Sequence, residues 1–354
     1  MGFADYMRMA LYEPGLGYYV NGLHKFGPSG DFVTAPEQGG LFAKALARQL
    51  DQVGSEIGAG WTLLELGAGS GALARDLLAA LDHPPARYLI LDTSASLRQV
   101  QAERIAELPA WLGARVEWLS QPPEAGFDGV ILANEVIDAL PVSCFEVDQD
   151  KVLERCVDFT GQRLTWTQRP APPRLDQAVG ELRAQLPGCL PPGYQSEICL
   201  DLPGWLRTVT EPLRRGLALF IDYGYPRREY YHPDRRAGTL VCHYRHRAHF
   251  DPFVWPGLTD ISAFVDFSLA ADAGFDSGLE VAGFTSQAGF LLGIGIHDQL
   301  QQASDERDRL GLSAELKRLT LPGEMGEKFK LIALTRGLEQ ALNGFEGISH
   351  LHRL

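Results

Sequence analysis

Three glycines at alternate positions, Gly67, Gly69 and Gly71, follow the apolar run Thr62-Leu63-Leu64-Glu65-Leu66 and precede a helix-like stretch from Ala72 to Leu81. A strand that passes through such a turn into a helix forms a cradle for a nucleoside or a phosphate. Glycine lets the backbone turn sharply and approach a ligand, and the helix N-terminus offers free N–H groups. The dinucleotide fingerprint is Gly-x-Gly-x-x-Gly; here the third glycine comes one residue early. Glu65 stands two residues before the first glycine, and Asp92 ends the next apolar run, 21 residues after Gly71. An acid at that place can accept hydrogen bonds from both hydroxyls of a ribose. A third group, Asn134, Glu135 and Asp138, directly follows another apolar run, Phe127 to Ala133. Ligands of open α/β sheets sit at the carboxyl ends of the strands, so these residues should lie beside the same ligand. The local pattern also leaves open a nicotinamide dehydrogenase, or a structural turn that binds nothing.

Glu65 with Gly67, Gly69 and Gly71 resembles motif I of class I S-adenosylmethionine-dependent methyltransferases, Glu/Asp-x-Gly-x-Gly-x-Gly. That cofactor carries an ammonium, which Glu65 could favour. Methyl transfer is an in-line displacement, so the protein mainly aligns the donor and the nucleophile. A guanidinium acceptor is a planar cation with no free lone pair. Two carboxylates can grip its N–H edges, localise its charge on one side and leave the other nitrogen more nucleophilic. Glu135 and Asp138 would share a face if their segment is a turn of helix. The competing reading makes Glu135 a helix cap and Asp138 a solvated side chain.

These residues need a scaffold, and the pattern around them describes one. Apolar runs at 62–66, 88–92, 115–119 and 127–133 alternate with helical spacings, which predicts a parallel sheet covered on both faces. The rhythm breaks near 143. Residues 145–167 alternate like a β-meander, and 143–215 reads as a β-rich insertion. Further strands are expected at 216–222, 279–284 and 328–335, with helices at 38–53, 260–273 and 286–320. Residues 1–40 read as irregular, 226–257 as a basic loop and 337–354 as a terminal helix with a loose end.

Composition narrows the partners. The net charge of −13 makes a phosphate backbone a poor partner, so no nucleic acid is expected. The longest apolar run, Phe290 to Ile296, is far short of the roughly 18 residues of a membrane span. Five cysteines without a Cys-x-x-Cys pair suit unpaired thiols in a reducing compartment. No signal peptide is visible, so a cytoplasmic protein is the expectation. His243, His246 and His249 have a spacing that invites zinc, but Arg245 and Arg247 interleave, and no metal is expected. Tyr18, Tyr19 and Phe32 read as packing residues ahead of stacking platforms. No Gly-x-Ser-x-Gly elbow and no Walker loop occurs, which disfavours hydrolase and kinase readings.

Longer blocks resemble one family across residues 2–336. They include Phe3-Ala4-Asp5-Tyr6-Met7, Gly30-Asp31-Phe32-Val33-Thr34, the glycine motif, Asp92-Thr93-Ser94 with Arg98 and Gln101, Asn134-Glu135 with Asp138-Ala139-Leu140-Pro141, and Ile221-Asp222-Tyr223-Gly224. The chain resembles the MidA-like S-adenosylmethionine-dependent methyltransferases, relatives of the mitochondrial complex I assembly protein arginine methyltransferase. The resemblance implies a class I, Rossmann-like α/β fold with a seven-stranded, mostly parallel sheet. It implies an N-terminal cap (1–55), a methyltransferase unit (56–142 and 216–340), the insertion and a tail (341–354). It implies S-adenosylmethionine as cofactor, held by Asp31, Thr34, Glu65, Gly67, Gly69, Gly71, Asp92 and Asn134, with Glu135 and Asp138 as catalytic residues on the acceptor. The implied substrate is a protein arginine, with a link to respiratory complex assembly. A cofactor-binding assembly factor or a small-molecule methyltransferase is the alternative, and a homo-oligomer stays open. The chain departs from the family's usual pattern at Ala68, Asp92 and Val136-Ile137.

Overall fold

The computed structural model describes residues 1–22 and 35–354. The chain starts with a helix, α1 (Phe3–Tyr12), where irregular structure was expected. Phe3, Tyr6, Met7, Ala10 and Leu11 recur at helical spacing and are buried along one face. The glycines and prolines that follow masked this amphipathic stretch. A short 3₁₀ turn at Ala35–Glu37 leads into α2 (Leu41–Ile57), which starts only after Gly39 and Gly40.

The alternating half then unfolds in order: β1 (Thr62–Leu66), α3 (Ala72–Ala80), β2 (Arg87–Leu91), α4 (Ala95–Ile105), a four-residue helix α5 (Ala110–Gly113), β3 (Val116–Leu119) and β4 (Phe127–Asn134). The chain leaves this sheet for β5 (Ser143–Asp148), β6 (Lys151–Thr160), β7 (Arg163–Pro170), α6 (Pro173–Gln185) and β8 (Gln195–Ile198). It returns through α7 (Leu202–Thr210) to the long β9 (Leu213–Tyr225) and the short helix α8 (Arg227–Tyr230). The last part comprises β10 (Val241–Tyr244), β11 (Arg247–His249), β12 (Asp260–Ser262), β13 (Val265–Asp266), α9 (Phe267–Asp276), β14 (Glu280–Ser286), α10 (Gln287–Gly293), α11 (Glu306–Thr320) and β15 (Phe329–Arg336).

All seven expected strands join one sheet, ordered β14-β15-β9-β4-β1-β2-β3, with the two residues of β13 added beside β9. β9, β4, β1, β2 and β3 run parallel, and β15 is antiparallel to both neighbours. Side chains alternate across it. Leu63, Ile90, Leu132 and Leu219 pack toward α2 and α3, while Leu64, Leu89, Ile131 and Phe220 pack toward α7 and α9. The carboxyl ends of β1, β2, β4 and β9 therefore open along one edge. This is the mostly parallel α/β architecture of the class I methyltransferases.

Two smaller sheets sit over that edge. β7-β6-β5-β8 is antiparallel and buries Phe145 and Val147 against Leu175 and Val179 of α6. Its other face meets α1 through Cys144, Val157, Phe3 and Met7. The expected basic loop instead holds α8 and the hairpin β10–β11, and β10 also pairs with β12. The expected helix at 260–273 starts only at Phe267, because Asp260–Ser262 pair with β10 and the Asp266 side chain caps α9 at 3.0 Å from the Ser268 N–H. The hairpin also disperses the histidines. His249 is paired with Cys242, so adjacent His243 points to the opposite face. The expected terminal helix is absent; residues 337–354 form two 3₁₀ turns, with Phe345 buried against Phe290 at 5.5 Å.

β9 meets β4 with no room for a side chain at Gly216. Its φ is +141°, and a Cβ there would lie 1.8 Å from the Gly129 carbonyl oxygen. Gly216→Ala should cost about 3 kcal/mol from backbone strain and overpacking together. Urea denaturation would measure it; a change under about 0.5 kcal/mol, the scatter of neutral surface changes, contradicts this close approach.

Candidate active site

β1 is buried along its whole length, and Glu65 is carried into the interior with it. Its Oε2 accepts the Tyr88 hydroxyl at 2.8 Å. Burial pushes the Glu65 carboxyl up to about 7; the Tyr88 bond opposes this and Asp92 adds to it. The turn that follows is left-handed at Gly67 (φ +62°), Gly69 (+53°) and Gly71 (+80°), a path that side chains rarely tolerate. At Gly71 a Cβ would meet the Gln101 Cα at 3.0 Å.

Asp92 caps the end of β2. Its Oδ1 accepts the Ser94 N–H and its Oδ2 the Gln101 amide, both at 2.8 Å. Burial raises the Asp92 carboxyl above its usual range against these bonds and Arg98. The same Gln101 amide donates to the Gly69 carbonyl at 3.0 Å, and its oxygen accepts the Trp118 indole at 3.0 Å. One buried glutamine thus sets the glycine turn and Asp92 relative to each other. Arg104 donates to Glu37 Oε1 at 3.1 Å and to Ser70 at 2.9 Å, tying the N-terminal 3₁₀ turn to the glycine turn. Nothing in local spacing signals Gln101, Glu37 or Arg104 as a group, because their partners lie far away in sequence.

The acids after β4 are not on a helical turn. Glu135 takes a φ of +55°, an uncommon and strained value for a non-glycine residue. Its N–H donates to the Ile221 carbonyl of β9 at 2.8 Å. Asp222, next along β9, then accepts the N–H groups of Val136, Ile137 and Asp138 on one oxygen at 3.2, 3.0 and 3.2 Å. Those contacts, rather than helix bonds, bring Glu135 and Asp138 into one cavity. Asp222, which holds this turn, is not among the site residues that spacing pointed to. Its traces in sequence are an acid ending a buried run and its place in the Ile221-Asp222-Tyr223-Gly224 block.

The result is a nest of carboxyls. Burial pushes Glu135 up to about 8, with Asp138 and Asp260 adding and the Asn134 amide opposing. Burial and Glu135 push Asp222 up to about 8 against its N–H bonds. Asp138 is raised well above the usual carboxyl range by burial, Asp222 and Asp260, although the Tyr223 hydroxyl donates to its Oδ2. Asp260 accepts the Tyr19 hydroxyl at 2.8 Å and the Ser262 hydroxyl at 3.0 Å. Among the described residues, no lysine or arginine forms an ion pair with Glu135, Asp138 or Asp222.

A cavity of about 1770 Å³ collects these groups: Glu65, the 67–70 turn, Asp92, Asn134, Glu135, Asp138 and Asp260 all line it. Tyr12 closes one wall, its hydroxyl 2.9 Å from the Ala139 carbonyl. Tyr18 is packed in the core as expected, while Tyr19 faces the cavity. Asn134 Oδ1 and Asp138 Oδ1 are buried acceptors with no partner among the described residues. Asp31, Phe32 and Thr34 lie outside the described residues.

An unfolded carboxyl releases its proton near 4.5 (Glu) or 3.8 (Asp), but Glu135 and Asp222 hold theirs to about 8 in the fold. Between those values the native state binds more protons, so stability falls as pH rises. The ligand-free thermal midpoint should decline from about pH 5 to about pH 8, and Glu135→Gln should flatten part of that slope. A midpoint that climbs across the window contradicts the acid nest.

The profile of a family described as "Putative S-adenosyl-L-methionine-dependent methyltransferase" matches residues 41–285. A Drosophila melanogaster relative, "Protein arginine methyltransferase NDUFAF7 homolog, mitochondrial", is 30% identical and covers 95% of this chain and 81% of its own. The Bos taurus "Protein arginine methyltransferase NDUFAF7, mitochondrial" is 27% identical over 94% of this chain and 79% of its own. Among solved structures, a Burkholderia thailandensis protein bound to S-adenosyl-homocysteine is 41% identical with a TM-score of 0.93, covering 100% of this chain and 92% of that one. A native crystal structure from the same organism gives 42% identity and 0.90, with the same coverage. A glycine turn, a strand-end acid and a buried acid nest, set on this sheet and matched over most of the chain, place the protein in the MidA-like family of S-adenosyl-L-methionine-dependent methyltransferases.

Proposed function

We propose that this protein methylates an arginine side chain of a protein substrate. The observation that carries the reading is the nest of Glu135, Asp138 and Asp260 lining the cavity with Asp222 buried behind them, the first two and Asp222 without a lysine or arginine ion-paired to them among the described residues. Buried carboxyls are costly unless a cation joins them. The curated relatives, named as protein arginine methyltransferases, support the same acceptor.

The cofactor is S-adenosylmethionine, and the cavity fits it. Asp92 keeps spare acceptor capacity for the ribose hydroxyls, since each carboxylate oxygen can take more than the one N–H it holds. Glu65, at the cavity wall, would favour the ammonium; Gly67 and Gly69, also at the wall, would let the backbone come close, and Gly71 shapes the turn against Gln101. The orphaned Asn134 Oδ1 is an acceptor left for a donor of the ligand. Asp31 and Thr34 belong to this set by family resemblance. When bound, the cofactor supplies an electrophilic methyl on its sulfonium.

Glu135 and Asp138 would hold the N–H edges of the guanidinium and localise its charge away from the nitrogen that is to be methylated. One proton must leave the acceptor as the new N–C bond forms. The Glu135 carboxylate, ionised once the guanidinium cation is beside it, would accept that proton. Tyr223, bonded to Asp138, and Asp222, bonded to the turn, keep the pair in place. Tyr12 and Tyr19 wall the cavity on one side.

Two substitutions test these roles. Asp92→Ala should weaken S-adenosylmethionine binding by about tenfold to a hundredfold, the worth of lost charge-assisted bonds. Calorimetry at unchanged affinity would remove the ribose assignment. Glu135→Gln should leave cofactor affinity within a few fold and lower kcat on arginine peptides by about 10²–10⁴. Full turnover in that variant rejects the acceptor clamp, and cofactor binding with no methylation of any protein arginine would favour a scaffold role.

A further inference from the structure

The cavity is divided by charge. Glu65, Asp92, Glu135 and Asp138 enter it from the carboxyl edge of the central sheet, whereas Arg155 comes from β6 and Arg235 from the segment after α8. The Arg155 guanidinium lies over the Trp166 ring, 4.1 Å from its centroid. The Arg235 guanidinium lies over Tyr225 at 4.2 Å and donates to the Tyr230 carbonyl at 3.1 Å. Both side chains are partly buried.

Among the described residues no carboxylate reaches ion-pair distance of either guanidinium. Arg8, a third cavity cation, is paired with Asp5 at 2.8 Å and Asp201 at 3.1 Å. Glu197 lies on the neighbouring part of the inserted sheet; its Oε1 accepts the Tyr230 hydroxyl at 2.9 Å and the Thr239 N–H at 2.7 Å, and Arg155, beyond ion-pair distance, partly offsets the burial that raises its carboxyl. Stacking fixes each guanidinium plane and leaves fork-shaped donors for an anion of matching shape. A half-desolvated, unpaired cation in a cavity gains most from a carboxylate brought by the ligand.

We propose that this wall is a carboxylate subsite, and that the acceptor is an arginine with a carboxylate close by. The carboxylate is an aspartate or glutamate side chain of the same segment, or the α-carboxylate of a C-terminal arginine. The inference rests on the arginine reading of the acid nest. Acid wall and basic wall together select a dipolar segment and fix its direction along the cavity, which an acid nest alone does not.

The test is calorimetry on the full chain saturated with S-adenosyl-homocysteine. The probes are short peptides, acetylated and amidated, with arginine as the sole charge, with a glutamate added two residues away, or with a free carboxylate on a terminal arginine. A fourth peptide keeps the glutamate and has glutamine for arginine. One carboxylate peptide should bind on the order of tenfold tighter than the arginine-only peptide, the worth of one charge-assisted pair. Which of the two gains identifies the source. Arg155→Gln or Arg235→Gln should erase that gain while S-adenosyl-homocysteine affinity and arginine-only affinity stay unchanged. No gain from either carboxylate overturns the proposal. So does loss of S-adenosyl-homocysteine affinity in the arginine variants, which would assign the guanidinium to the cofactor's own carboxylate. If the glutamine peptide binds as tightly as its arginine counterpart, the arginine reading falls and the carboxylate subsite stands.

Discussion

The site depends on one buried carboxylate at the end of β9. Asp222 accepts three consecutive N–H groups from the chain leaving β4, and a fourth from Tyr223 at 2.9 Å on its other oxygen. Without it those donors would be buried with no partner, at a cost of about 1–3 kcal/mol each. With it, the chain turns sharply at Glu135 despite an unfavourable φ. The two central parallel strands thereby end in a shared structure, and that structure is where Glu135 and Asp138 meet.

The same device makes the site electrostatically unfavourable when empty. Carboxyls crowd where water is scarce, and burial rather than hydrogen bonding dominates the shift of each. A fold can hold such a nest only if the rest of it is well satisfied. Here the two sheet faces are closed by apolar clusters on both sides, and Gln101 has its amide and its oxygen both engaged. Local rules are violated at Glu135 and obeyed around it, the usual signature of a functional site.

The smaller elements decide access. α1 presses on the inserted sheet and brings Tyr12 to the cavity wall. The hairpin β10–β11 holds β12, which carries Asp260 into the nest. The inserted sheet contributes Arg155, and the segment before β10 contributes Arg235. The central sheet thus supplies the strand ends that carry Glu65, Asp92, Glu135 and Asp138 to the cavity, while the elements added to it supply the remaining walls.

Much of the core was legible in the chain. Runs apolar on both faces, interrupted by glycines and acids, locate all seven strands of the sheet path because a strand covered by helices on both sides must be apolar throughout. Glycine spacing locates the left-handed turn, since other residues rarely adopt it. Acids at strand ends locate Asp92, Glu135 and Asp138 at one edge. Sequence could not order β14, β15 and β9, or show that the segment after Asn134 is capped by Asp222 instead of helical. It could not reveal that Gln101 joins Gly69 to Asp92, or that His243 and His249 part company on a hairpin. Those facts rest on hydrogen bonds between residues tens of positions apart. Residue types and local periodicity determine which elements form; only packing decides which distant donors and acceptors come to share a buried space, and in this protein that sharing makes the site.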